Sequence, residues 1–239
     1  MKWRTAISTH KDGELHIRGE ALRTLVEKHT FSEVIFLLLG GRMPSKAETA
    51  MLDMLLVSCA EHGVEAPSAF SARVSASVGN QLNAALAAGI LATGEWHGGA
   101  IERAAKHLQS SETPANIVSS LRARGERLPG FGHKIYKDKD PRAEMLLAEA
   151  VKLGISKNGV ERVRALESEL AAQSGKHLPV NIDGAMAAII SDLGFDWRLG
   201  NAFFLLGRTP GIIAHIYEET VNEKPYRRID ESDVTYTGL

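Results

Sequence analysis

Pro44-Ser45-Lys46-Ala47-Glu48-Thr49-Ala50-Met51-Leu52-Asp53-Met54-Leu55-Leu56 is the stretch that sets the fold class. Ser45 and Glu48 stand three apart, so hydroxyl and carboxylate can each accept the other residue's backbone N–H in a capping box. Met51, Leu52, Leu55 and Leu56 then recur at three- and four-residue steps, which makes one apolar helix face. The same grammar continues on both sides. Leu22, Leu25, Val26 and His29 form a helical face after Gly19, and Ser32 is expected to cap an apolar segment through Leu39 that Gly40-Gly41 stops. Thr113-Pro114 and Asp140-Pro141 each place a capping side chain before a proline at the first helical position. Helices are predicted over 155–174, 179–193 and 198–220, the last interrupted around Thr209-Pro210-Gly211. The small side chains of 84–92 suit close helix packing. No stretch sustains period-two alternation beside a hairpin turn. The expectation is an all-α domain of about ten helices over 1–239, with 110–175 as a smaller helical lobe.

Composition excludes whole classes. A chain of 239 residues is long enough to bury its own core without a staple. At 44% hydrophobic and 24% charged it is not a disordered segment. A lone cysteine, Cys59, leaves no internal disulfide and no structural zinc site. Apolar runs such as Val34 to Leu39 fall far short of the ~20 residues of a membrane span. The polar start, Lys2-Trp3-Arg4 and then Ser8-Thr9-His10-Lys11-Asp12, lacks the apolar core of a secretion signal. A reduced, cytoplasmic setting is expected. With 28 basic residues against 29 acidic ones, no global field draws nucleic acid. Gly130-Phe131-Gly132 lacks the third glycine of a dinucleotide fingerprint. A phosphate loop, a His-Glu-x-x-His pair and a nucleophile elbow are all missing.

Four glycine-flanked breaks instead carry polar residues between apolar segments. They are Trp96-His97-Gly98-Gly99-Ala100; Gly130 to Tyr136 followed by Asp140-Pro141-Arg142; Val180-Asn181-Ile182-Asp183-Gly184-Ala185; and Leu206-Gly207-Arg208-Thr209-Pro210-Gly211. Singly, each reads as a helix cap, a dipole-favoured carboxylate or a snorkelling arginine. Together, two histidines, a carboxylate and several arginines describe a site for a small polycarboxylate, because arginine's planar fork binds carboxylate bidentately.

Gly130-Phe131-Gly132-His133-Lys134-Ile135-Tyr136-Lys137-Asp138-Lys139-Asp140-Pro141-Arg142 resembles the central signature of the citrate synthase superfamily. His97-Gly98-Gly99-Ala100 is similar to its other histidine motif, and Asn181-Ile182-Asp183-Gly184 to its catalytic-aspartate motif. Glu27 to Val34 resembles an early helix junction, and Lys224-Pro225-Tyr226-Arg227-Arg228 the last arginine motif, so the likeness covers nearly the whole chain. The chain is shorter than a full-length citrate synthase. Asn181 to Ala185, Leu205 to Gly211 followed by Ile213-Ala214-His215, and Ala60-Glu61-His62-Gly63 stand closer to the citryl-CoA lyase module of ATP-citrate lyase. Lyase members often lack a histidine where this chain keeps His97.

The resemblance implies an enzyme that forms or cleaves the carbon–carbon bond between the acetyl-CoA methyl and oxaloacetate, through citryl-CoA. It implies Asp183 as the base in synthesis and the acid in cleavage, and His97 as donor to the thioester enol oxygen. His133 would polarise the keto group or hold the citryl hydroxyl. His62, Arg142, Arg208 and Arg227 would bind substrate, with Arg228 an alternative to Arg227. Lys134, Lys137 and Lys139 are candidates for the CoA phosphates. No metal or cofactor beyond the CoA thioester substrate is implied. Because the last arginine of the family reaches a partner subunit's site, a homodimer or higher homo-oligomer is implied. A methylcitrate-type synthase, a non-catalytic module and a partner-dependent lyase subunit are the other readings open.

Overall fold

A computed structural model describes residues 2–238. Eleven α-helices dominate the described residues. They are α1 (Leu22–Lys28), α2 (Phe31–Gly40), α3 (Lys46–Ser58), α4 (Pro67–Ser77), α5 (Leu82–Leu91), α6 (Ala100–Leu108), α7 (Pro114–Ala123), α8 (Pro141–Lys152), α9 (Asn158–Ser174), α10 (Ile182–Asp192) and α11 (Gly200–Asn222). The all-α reading holds, and none of these helices is long and apolar enough to cross a membrane.

Local signals set most of the boundaries. The backbone N–H of Glu48 donates to Ser45 Oγ at 3.2 Å and that of Ser45 to Glu48 Oε2 at 2.7 Å, completing the box ahead of α3. Thr113 and Asp140 cap α7 and α8, each followed by its proline. One cap differs from expectation: Thr30, not Ser32, starts α2, in a capping box with Glu33.

A hairpin departs from the expectation of no strand pairing. Strands β1 (Ser8–Lys11), β2 (Glu14–Ile17) and β3 (Glu20–Ala21) form an antiparallel sheet in that order, with Ser8 opposite Ile17 and His16 opposite Ala21. Asp12 (φ 52°) and Gly13 (φ 80°) make the tight turn that a two-residue hairpin requires. The strands are too polar and short to show alternation, so the Asp-Gly dipeptide alone carried the signal. Arg18 ties the sheet down, its Nη2 donating to the Leu38 carbonyl at 3.0 Å.

The chain divides into two compact units. One holds the residues up to Val57 together with Ala100–Phe203; the other holds Ser58–Gly99 and the chain from Phe204 onward. The stretch 110–175 lies inside the first unit.

In the first unit α10 is the central helix, packed by α6, α8 and α9. Ala185, Ala187, Ala188, Ile189 and Ile190 are fully buried, and each isoleucine contributes about 1.5–3 kcal/mol of transfer free energy. At its far end the Asp192 carboxylate accepts from the backbone N–H groups of Lys157, Gly159 and Val160 at 2.8, 2.6 and 3.0 Å. This distant carboxylate starts α9 at Asn158 rather than at the predicted residue 155.

In the second unit α4 packs on α5, and Ala72, Ala76 and Ala85 meet Ile212 and Ile216 of α11. The predicted break in that last helix is not there: α11 runs unbroken through Pro210. An internal proline costs about 3 kcal/mol through its lost N–H and ring clash. Burial of Phe204, Ile212 and Ile216 on the same helix offsets it.

Candidate active site

The sequence-predicted residues fall into two groups, one in each unit. His133, Arg142 and Asp183 belong to the first; His62, His97, Arg208 and Arg227 to the second.

In the first group the Gly130–Arg142 loop and the start of α10 are locked together. Asn181 caps α10, accepting at Oδ1 from the N–H groups of Asp183 (3.0 Å) and Gly184 (3.2 Å) and donating from Nδ2 to the Gly132 carbonyl (2.9 Å). The cap is therefore Asn181 and not Asp183. The Asn181 amide is spent on backbone and makes no hydrogen bond to the Asp183 carboxylate. Gly184 serves packing rather than leaving room for a substrate: a Cβ there would overlap the carbonyl oxygen of Gly130.

Among the described residues the Asp183 carboxylate accepts no hydrogen bond, although the positive end of α10 lies beside it. Burial pushes its pKa above the ordinary carboxylate value; the Arg142 charge pulls it back and the Asp140 charge adds to the rise. His133 Nδ1 accepts from the backbone N–H groups of Ile135 (3.1 Å) and Tyr136 (3.2 Å). In the neutral ring the proton then sits on Nε2, which is a donor. Arg142 Nη2 lies 3.4 Å from that Nε2, a contact between two donors and so not a hydrogen bond in this tautomer.

Asp140 was read only as a helix cap, and it does more. Its side chain is fully buried and binds Arg142 bidentately, Nε to Oδ1 at 3.1 Å and Nη2 to Oδ2 at 2.8 Å. It also accepts from the Ile182 N–H at 3.2 Å. Burial raises its pKa, but the Arg142 hydrogen bonds outweigh that and hold it below the ordinary value. A buried aspartate two residues before an arginine was the signal available.

A cavity of about 590 Å³ opens beside His133, with Arg122, Arg127, Lys134 and Lys137 on its walls. Lys139 is not among its lining residues.

In the second group Phe204 of α11 gathers two histidines. His62 stacks on its ring at 5.7 Å and His97 meets it edge-on at 5.3 Å. The Ser68 hydroxyl lies 2.9 Å from His97 Nε2. Burial, and then the charge of Arg208, lower the His97 pKa, so the ring is neutral at pH 7. With Ser68 donating to Nε2, the ring proton sits on Nδ1.

Arg208 does not snorkel: it is 0% exposed. Its Nη1 lies 3.1 Å from Glu61 Oε2, while Nε and Nη2 have no hydrogen-bond partner among the described residues. Arg227 stands apart from these, donating from Nε to Glu219 Oε2 at 2.6 Å with Nη2 3.2 Å from Glu223. Buried Arg73 shares Glu219 at 2.8 Å. Sequence reading missed Ser68, Phe204, Glu61 and Arg73, which carry no signal beyond being polar or aromatic within apolar helices or beside a motif. Among the described residues no group of His, Cys, Asp or Glu is placed to hold a metal ion.

In the first unit, then, a half-buried helix-start carboxylate with raised pKa, a histidine and an arginine held by a buried aspartate lie on one loop and one helix start. Consistent with this, residues 45–229 match the citrate synthase C-terminal-domain family, and the chain belongs to it. It is 34% identical over 214 residues to the citrate synthase of Haloferax volcanii, covering 84% of this chain and 56% of that one. The chain thus spans about half the length of the curated citrate synthases it matches. Its fold is similar to the citryl-CoA lyase of Hydrogenobacter thermophilus: TM-score 0.94, 44% identity, 99% of this chain and 95% of that one. The ATP citrate lyase of Methanothrix soehngenii, solved with citrate and coenzyme A, matches with TM-score 0.82 and 26% identity over all of this chain and 42% of its own.

Proposed function

We propose that the protein cleaves citryl-CoA to acetyl-CoA and oxaloacetate, and catalyses the condensation in reverse. The observation that carries this reading is Asp183: a half-buried carboxylate with raised pKa at a helix start that another residue already caps. In cleavage the bond between the methylene carbon and the hydroxyl-bearing carbon breaks, its electrons pass to the thioester enolate, and the hydroxyl gives its proton to water as the keto group forms, so that one proton leaves oxygen for each one returned to carbon. Asp183, holding its proton more firmly than a solvated carboxyl, returns it to carbon as methyl. In condensation the ionised form removes that proton, a contribution typical of general bases at ~10²–10⁴-fold.

His133 Nε2–H and the Arg142 charge stabilise the oxygen that becomes the keto group, with His62 as a further substrate contact. Neutral His97 donates to the enol oxygen. Arg142, Arg208 and Arg227 bind carboxylates, Arg227 in the partner subunit of a homodimer. The basic wall of Arg122, Arg127, Lys134 and Lys137 suits the phosphates of coenzyme A. A reducing, cytoplasmic compartment agrees with the single buried thiol.

The whole chain, given citryl-CoA, should release acetyl-CoA, and given acetyl-CoA with oxaloacetate should release CoA. Inertness in both assays refutes the reading.

A further inference from the structure

Arg208, Gly211 and His215 follow one another on α11 at steps of three and four residues, so one face of the helix carries all three. The 60–63 loop lies on that face. A Cβ at Gly211 would overlap the carbonyl oxygen of Ala60 and come within 2.8 Å of Glu61 Oε2, so only glycine lets the loop sit on the helix backbone.

Seated there, Glu61 divides its two oxygens. Oε2 lies 3.1 Å from Arg208 Nη1, and the Ala60 carbonyl accepts from the same Nη1 at 3.3 Å. Oε1 accepts from the Gly63 N–H at 2.6 Å and lies 3.1 Å from His215 Nε2. On its other side His215 Nδ1 is 3.4 Å from Arg73 Nη1 and 3.9 Å from Glu218 Oε2. An arginine can only donate, so Nδ1 is the acceptor and the ring proton sits on Nε2, directed at Glu61. Burial raises the Glu61 pKa, yet the His215 and Gly63 hydrogen bonds and the Arg208 charge outweigh it and hold it at about 2.

One edge of the Arg208 fork is thus fully occupied, whereas Nε and Nη2 on the other are buried and unpaired among the described residues.

We propose that Glu61 and His215 are positioning residues for Arg208. Glu61 clamps the Nη1 edge so that the Nε–Nη2 edge meets a carboxylate of the keto diacid in one orientation. His215 fixes Glu61, and Gly211 supplies the close approach. This rests on the reading of Arg208 as a substrate arginine given above.

Calorimetric titration of the whole chain with oxaloacetate, and separately with coenzyme A, tests it without needing turnover. Glu61→Ala should weaken oxaloacetate binding roughly ten-fold or more, the scale of one charge-assisted hydrogen bond. His215→Ala should act in the same direction. So should Gly211→Ala, although alanine is the better helix former. Coenzyme A affinity should stay within about two-fold of the parent, since none of the three is placed on the basic cavity. Glu61→Gln keeps one acceptor oxygen but no charge, and should recover only part of the loss. Adding Glu61→Ala to Arg208→Leu should cost nothing further.

Folded Glu61→Ala and Gly211→Ala proteins that bind oxaloacetate like the parent, while Arg208→Leu does not, overturn the inference alone. An Arg208→Leu protein that binds normally, or a parent that binds no oxaloacetate, overturns the substrate-arginine reading and the inference with it. Should Glu61→Ala not fold, His215→Ala and Gly211→Ala decide the matter in the same way.

Discussion

Asp183→Asn separates chemistry from stability at the start of α10. The helix cap belongs to Asn181, which keeps both of its N–H contacts in the variant. The ~0.5–2 kcal/mol usually tied to a cap is therefore untouched. What changes is a charge. An ionised carboxylate in the first turn gains about 0.3–1 kcal/mol from the helix dipole. Against this, burial raises the Asp183 pKa, so ionisation costs more in the folded chain than in the unfolded one. A raised carboxyl pKa lowers stability as pH climbs from the unfolded value through the folded one. At pH 7 the two effects oppose, and the amide should leave stability within about 1 kcal/mol of the parent, a Tm change of at most ~4 °C for a chain of this size.

Turnover should fall by at least ~10², because no other group takes or returns the methyl proton. The assay is citryl-CoA cleavage beside hydrogen-isotope exchange at the acetyl-CoA methyl, with calorimetric Tm on the same samples. Asn181→Ala is the contrasting control: it removes the cap and the Gly132 anchor, so its Tm should drop by several degrees. A folded Asp183→Asn protein within a few-fold of parental turnover refutes the mechanism. So does one whose activity loss tracks a large fall in Tm.

His97→Phe should depress cleavage and condensation alike, since both directions share one transition state; coupled assays in each direction check this, and activity equal to the parent's would remove His97 from the enol oxygen. The Glu48 carboxylate is held at about 2, first by Arg42, whose side chain is 52% exposed, and also by the Ser45 N–H. Its stabilising share, roughly 1–2 kcal/mol after allowance for that exposure, is present above pH ~4.5 and lost as pH falls toward 2. Glu48→Gln should therefore flatten the acid limb of the stability curve, and an unchanged limb would disprove the assignment. Light scattering should give a dimer at micromolar concentration, and a fully active monomer would rule out a trans role for Arg227.

Wherever cause and effect lie a few residues apart, the sequence by itself determined the outcome. Ser45 with Glu48, Thr113 with Pro114 and Asp140 with Pro141 set helix starts through side-chain-to-backbone bonds closed within one turn. The glycine-flanked histidines, Asp183 and Arg208 were visible because polar residues interrupt apolar periodicity. Asp12-Gly13 is a hairpin dipeptide, but its flanking strands are too short and polar to show alternation. Tertiary structure alone decided the rest. Asp192 sets the start of α9 from 34 positions beyond Asn158. The continuity of α11 through Pro210 rests on burial of its other residues. Asp183 is freed from capping because Asn181 takes that task, and Glu61 reaches Arg208 and His215 across some 150 residues of chain. A propensity acts within a turn of helix, whereas a shared buried charge depends on which distant backbones are close enough to meet it.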